Sequence, residues 1–511
     1  MHLSVSAAKN VASSWMRLAV QLAIGFILSP FILHKLGDTA FGVWVLIFSL
    51  SAYYGLFDFG ILAAVPRYVA RFAAANDREA LARFVNTSLA ACGVLGLLLL
   101  SITLVGSRYL DVVFKIPPDF VGSARLLLLI LGSDIALGLP LHVLGCVLEG
   151  YQRFDLLNLT HIGASILRGL LIFAALTLGG GLVMMALLAV AVNLLRHLVC
   201  VRVVFRNTPL RIGTRYVDRS MLGELMSFSL VSLGLTIAEN LRFQSDAIVI
   251  GAFLSSTAIT YYSIGLRLAD YPAGIVSSLA QIFTPMASHL EAIGDNARLQ
   301  RVFLVGNRAC ALVIFPLCAF LIILGKEIIA VWVGPKYSAS YPVLLVLVVS
   351  KTLFLAQSCS SRMLVGLGRL RALTLVVFLD GVANLILSIV LIRHWGILGV
   401  AIGTAIPLTC TSLFFLPLYL CRILKVSLGA FLRQSFLLPL ASTVAMACVL
   451  VLTSRLLQPA SYPGLFLQLA VAGSSYGLSL LAYFLISEPD RARIKLQVGR
   501  LLHQAVGSAQ Q

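Results

Sequence analysis

The sequence predicts an all-α polytopic membrane protein of about fourteen transmembrane helices, arranged as two six-helix bundles and two further C-terminal helices. Three observations carry that prediction. Apolar residues fill 60% of the 511 positions and charged residues 11%, with a mean hydropathy of +0.99. An ordinary soluble domain has roughly 45–50% and about 25%. The apolar residues come in runs of about 20 with the charges gathered between them, and about 20 helical residues cross a bilayer's hydrocarbon. An internal repeat then groups the runs into sixes.

The crossings are expected near 11–34, 40–65, 84–106, 123–148, 156–178, 182–205, 222–250, 257–284, 302–324, 341–365, 371–392, 396–421, 430–454 and 463–486. Helices are the expected form, because a backbone in hydrocarbon must satisfy its own hydrogen bonds and these runs are too long for barrel strands. The first run, entered through MHLSVSAAKNVASSW and carrying Pro30, lacks a small-residue cleavage site and reads as an uncleaved helix.

Basic residues fall mostly in alternate loops. One set holds Arg67, Arg71, Arg78, Arg83, Arg202, Arg206, Arg211, Arg215, Arg219, Arg298, Arg301, Arg491, Arg493 and Lys495, while the opposite set is sparse, with Lys35, Arg108, Lys115, Lys326, Lys336, Arg393 and Arg455 among its members. That asymmetry places both termini in the cytoplasm. It also accounts for the net charge of +18 as topology information, so no nucleic-acid partner is expected.

The repeat is seen after the second and eighth crossings, where PRYVARFAAANDREALARFV from Pro66 aligns without a gap on PMASHLEAIGDNARLQRVFL from Pro285. Asn76–Asp77 then faces Asp295–Asn296, Phe84 faces Phe303, and upstream Thr39–Ala40 matches Thr257–Ala258. This register pairs crossings one to six with seven to twelve, related by an axis normal to the membrane. The expected domains are an N-terminal lobe at 1–206, a second lobe at 207–425, two added helices at 426–488 and a cytoplasmic tail at 489–511.

No metal or nucleotide motif occurs, so no catalytic residue, cofactor or metal site is expected. The nine cysteines stand singly, several within apolar runs, as small packing residues. Gly396, Gly399 and Gly403 in GILGVAIGT contain a GxxxG step, which usually packs helices.

The informative residues are charges inside crossings: Arg17, Arg168, Arg196, Arg242, Arg267, Lys351 and Arg362, with Asp58, Asp134, Glu239, Asp246, Asp270 and Asp380. Each costs roughly 2.5–3.5 kcal/mol at the bilayer centre, so they must face one another or a wet cavity. Glu239, Arg242 and Asp246 at i, i+3 and i+7 place three on one face of the seventh crossing. Two readings stay open there, an ion-pair ladder that packs the bundle or a cavity wall binding substrate or ion. Arg267 and Asp270 extend the idea to the eighth crossing. Asp58, in YYGLFDFG, is either a structural hydrogen-bonding group or a charge partner.

Five stretches in order, FGVWVLIFSLSAYYGLFDFGI, LEGYQRFDLLN, DAIVIGAFLSSTAITYYSIGLRLADYP, VWVGPKYSASYPVLLVL and GLGRLRALTLVVFLDGVANLILSIVLI, make the chain resemble the polysaccharide (O-antigen type) flippases. Their superfamily also contains the MATE multidrug exporters and the lipid II flippase. The resemblance implies a MATE-like, V-shaped transporter of the bacterial inner membrane that moves a polyprenyl-pyrophosphate-linked oligosaccharide between leaflets by alternating access. It implies Arg17, Arg242 and Arg267 as cavity cations for the pyrophosphate. Glu239, Asp246, Asp270 and Asp58 would then be charge partners or hold a coupling cation, H⁺ or Na⁺. Besides the lipid-linked substrate and membrane lipids, a polysaccharide polymerase and chain-length regulator are the implied partners. The alternatives are a lipid II flippase, a multidrug or cation antiporter, which should favour acidic over basic cavity residues, and a polytopic polymerase or ligase, which should carry a longer outward loop than GSRYLDVVFKIPPDF.

Overall fold

A computed structural model describes residues 2–457 and 459–486, so the expected tail at 489–511 and the end of the segment before it lie outside the described residues. Among these residues, eleven helices are long and apolar enough to span a bilayer. One of the eleven, Leu370–Leu424, is two crossings folded back at Gly396, whose φ of 56° departs from the helix. The seventh crossing (Met221–Phe243 and Ser245–Phe253) and the eighth (Ser256–Ala280 and Phe283–Ala292) are each broken into shorter helices. Counting these gives the fourteen crossings expected.

The repeat appears as local geometry built twice. After the second crossing, Asn76 takes φ 55° and Asp77 caps the helix Arg78–Arg108 by accepting from the Ala80 N–H. After the eighth, Gly294 takes φ 70° and Asp295 caps Asn296–Trp332 through the Arg298 N–H. A second pair follows, with Gln152 (φ 56°) before Phe154–Thr177 and Gly368 (φ 65°) before Leu370. The gapless alignment is therefore one residue out at the caps: Asn76 matches Gly294, and Asp77 matches Asp295. Left-handed backbone is what the turn requires, and glycine and asparagine both supply it.

Packing is uneven along the membrane normal. One apolar core belongs to crossings two, three, four and six (Val65, Phe84, Val143, Val147, Val204). The larger core joins Leu33, Phe41, Leu46 and Leu127 to Ile250, Tyr262 and Leu347 of the later crossings. The first six and the next six crossings therefore share a core at the end away from the N-terminus. There a Cβ on Gly42 would lie 1.7 Å from the Ser256 carbonyl, so only glycine permits the approach. Polar contacts seal the same end. Thr260 donates to the Asp38 carbonyl (2.6 Å), Lys115 to that of Phe253 (2.7 Å), and Asp38 accepts from Lys336 and Tyr337 (2.5 Å each).

Smaller features follow from the same physics. The eleventh and twelfth crossings form a hairpin in which Gly399 abuts Leu391 and Gly403 abuts Ser388, so the GxxxG step packs a helix pair as expected. The thirteenth packs on the ninth through stacked Phe303 and Phe431 (4.7 Å). The described cysteines are all free; most are buried, and Cys410 and Cys448 are exposed on apolar helices.

Candidate functional site

Arg242 ends the first helix of the seventh crossing and is buried, as is Asp380 of the eleventh, 3.0 Å away. Close approach of the two crossings makes the pair: a Cβ on Gly381 would lie 2.8 Å from that of Leu241. Thr411 donates to both Asp380 oxygens (2.7 and 2.8 Å), and the Arg242 guanidinium lies 4.6 Å from the Phe354 ring centroid. Its Nε has no hydrogen-bond partner. Arg242 borders a cavity of about 400 Å³ whose charged lining also includes Glu239, Asp270, Lys351 and Arg362. Lys351 donates to Asp270, and Glu239 faces the field of Arg362.

Asp246 does not continue that wall. The chain breaks at Gln244 (φ −115°, ψ −9°), and the second helix turns Asp246 into the bundle interior. There it accepts from Tyr262, from Thr404 through both oxygens (3.1 Å each) and from Asn384 (3.5 Å). Ser388 donates to Asn384 Oδ1 (2.9 Å) and approaches the Val400 carbonyl (3.4 Å). Among the described residues no cation pairs with Asp246. The site is a buried carboxylate whose oxygens accept from neutral donors only, the Tyr262 and Thr404 hydroxyls and the Asn384 amide. The one-face ladder expected for Glu239, Arg242 and Asp246 is corrected accordingly. Arg242 is neutralised from another crossing, and Asp246 serves a separate network.

Arg267 and Asp270 also part company. Arg267 donates to Ser29 Oγ of the first crossing (3.0 Å) and lies 5.5 Å from the Phe41 ring centroid. Among the described residues no carboxylate stands within ion-pair distance of it. It is thus a cation between the two sets of six crossings without a direct ion pair; Asp270, whose field also reaches it, is bonded by Lys351. Beside it an apolar groove of about 450 Å³ runs along the eighth crossing, lined by Phe26, Tyr271, Trp332 and, from the last crossing, Tyr462 and Phe466.

The remaining expected residues lie elsewhere. Arg17 has Glu149 and His161 as its electrostatic neighbours, away from Arg242 and Arg267. Asp58 accepts from the Gly60 N–H (2.7 Å) where the second crossing breaks at Phe59 (φ 49°) and Gly60 (φ 79°), which makes it the anchor of a helix restart. Sequence reasoning missed Ser29, Asn384, Ser388 and Thr404. For the eleventh crossing a signal existed: Asp380, Asn384 and Ser388 are four apart, a polar stripe on an otherwise apolar helix.

A family profile described as "Polysaccharide biosynthesis protein" matches residues 40–342. An uncharacterized membrane protein of Bacillus subtilis, EpsK, is 24% identical over 498 residues, covering 94% of this chain and 95% of its own. A probable low-salt glycan biosynthesis flippase of Haloferax volcanii, Agl15, is 22% identical over 182 residues, 36% of this chain and 39% of that protein. Among solved structures, the lipid II flippase MurJ in an inward closed conformation superposes with a TM-score of 0.72 at 14% identity, covering 93% of this chain and 98% of that one. This likeness carries the fold.

Proposed function

The chain belongs to the polysaccharide biosynthesis protein family, and on that premise we propose that it is a flippase for a polyprenyl-pyrophosphate-linked oligosaccharide, moving it from the cytoplasmic to the outer leaflet of a bacterial inner membrane. The observation that carries this reading is Arg267. An intramembrane guanidinium without a direct ion pair is costly unless something anionic visits it, and the adjoining groove has the apolar lining that suits a prenyl chain. A pyrophosphate presents oxygens to the planar fork of donors, and the lipid tail stays in hydrocarbon. The two domains proposed, 1–206 and 207–425, would rock about the end sealed by Asp38, Lys336 and Tyr337, with Arg242 and Arg362 as further cations along the path and Arg17 at its entry.

Coupling falls to Asp246. Its carboxylate takes a cation, H⁺ or Na⁺, and links through Asn384, which donates to the Arg242 carbonyl (3.0 Å), to the Arg242–Asp380 pair. Asp246→Asn removes the charge and keeps the shape. Initial transport rates in the variant are expected to lose their response to imposed H⁺ and Na⁺ gradients; a response equal to wild type would assign coupling elsewhere.

Cells lacking the protein are expected to lose a surface glycan and accumulate its polyprenyl-pyrophosphate precursor, measured by mass spectrometry of extracted lipids. Accumulation of lipid II with arrested wall synthesis would instead favour the lipid II reading.

A further inference from the structure

Residues 208–220, TPLRIGTRYVDRS, connect the sixth crossing to the seventh, and they are fastened to the third. Asn86 Nδ2 donates to the Arg211 carbonyl (2.8 Å) while Asn86 Oδ1 accepts from the Gly213 N–H (3.0 Å). Thr87 Oγ1 accepts from the Asp218 N–H (2.9 Å). Asn86 and Thr87 are buried polar residues on a span-forming helix that also donate to the Ala82 and Arg83 carbonyls one turn back (2.7 Å each), and the connector meets their remaining hydrogen-bonding capacity. Leu210, buried in the smaller apolar core, fixes one end of the segment.

The consequence is a cleft of about 450 Å³ lined by Arg78, Glu79, Ala82, Arg211, Arg215 and Tyr216. Its charge is unbalanced. Glu79 accepts from Arg83 (2.5 Å), and Asp218 also faces Arg83 at 3.7 Å. Among the described residues Arg78, Arg211 and Arg215 have no carboxylate within ion-pair distance. Arg215 donates to the Tyr216 hydroxyl (2.9 Å) and stacks over its ring at 4.8 Å. A hydrogen bond from Arg211, then Arg215, holds the Tyr216 phenol below its ordinary range. Three guanidiniums are thus gathered by a fixed connector without the anion that would balance them. Ile212 (47% exposed) and Val217 (44% exposed) lie among the arginines of the same segment.

We propose that this cleft binds the phosphate of an anionic phospholipid in the leaflet on the termini's side, with Arg78, Arg211 and Arg215 holding the headgroup and Ile212 and Val217 resting among the upper acyl carbons. A free phosphate shares the headgroup chemistry but does not use the two apolar residues, which is why the lipid is favoured. The site is separate from Arg267 and stands whether or not the transport reading does.

Native mass spectrometry of the full-length protein, titrated in detergent with phosphatidylglycerol, tests it. The wild type is expected to retain one phosphatidylglycerol more tightly than R211Q/R215Q by roughly thirtyfold, the effect of about two surface cations. Phosphatidylcholine should not be retained, excess inorganic phosphate should fail to displace the lipid, and I212S/V217S should weaken lipid binding. All four substituted residues are exposed, so folding of both variants is expected and is checked by their melting temperatures in phosphatidylcholine. Equal affinity of wild type and R211Q/R215Q overturns the site. Full displacement by inorganic phosphate, or no loss in I212S/V217S, overturns the lipid as its occupant.

Discussion

Arg267→Ala is expected to stop glycan export while the protein remains inserted, expressed and at least as heat-stable as wild type. Arg267 touches the Ser29 hydroxyl and the Phe41 ring and makes no direct ion pair, and Asp270, whose field reaches it, keeps Lys351 as its partner, so its removal strands no partner charge. It also relieves part of the roughly 2.5–3.5 kcal/mol that an intramembrane cation costs. Loss of one charge-assisted hydrogen bond to the pyrophosphate, about 1.5–3 kcal/mol, lowers the transport rate by roughly 10- to 150-fold. Arg267→Lys keeps the charge and loses the fork, and should fall between. Surface-glycan staining together with a melting curve of the purified protein separates the two effects. Reduced export with a lowered melting temperature would make Arg267 a packing residue.

Arg242→Ala should behave differently, by failing to accumulate. Asp380 would keep only the Thr411 hydroxyl as partner, and breaking a buried pair from one side costs about 3–5 kcal/mol, a large share of the roughly 5–15 kcal/mol that holds a typical domain. Arg242→Leu with Asp380→Leu removes both charges and is expected to restore protein level and melting temperature. Export should stay impaired in the double variant, because the cavity has lost the Arg242 guanidinium. Wild-type stability of Arg242→Ala alone would show that the pair does not hold the seventh crossing to the eleventh.

These two arginines mark where sequence reading succeeds and where it stops. Run length and alternating basic loops are local signals, so the fourteen crossings, and the charges that had to face inward, were legible. Which charge meets which was not. Nothing in RFQSDA announces the break at Gln244 that turns Asp246 away from Arg242, and the approach of the eleventh crossing that brings Asp380 to Arg242 is tertiary. The same limit explains the one-residue slip in the repeat. The alignment matched Asn76–Asp77 to Asp295–Asn296 by residue type, whereas the fold equates a left-handed turn residue and a helix cap, Asn76–Asp77 with Gly294–Asp295. Asp58 was legible as an intramembrane charge, and its use as the anchor of a helix restart was visible only once Phe59 and Gly60 were seen with positive φ.

The central claim is that an arginine without a direct ion pair, between the two sets of six crossings, receives a lipid-borne pyrophosphate. Reconstitution into proteoliposomes tests it directly, by following transfer of a polyprenyl-pyrophosphate oligosaccharide, and of the same glycan on a neutral lipid linkage, from one leaflet to the other. Wild-type protein is predicted to move the pyrophosphate-linked glycan and leave the neutral one, and Arg267→Ala to move neither. Equal transfer of the two lipids, or unimpaired transfer by Arg267→Ala, would contradict the account.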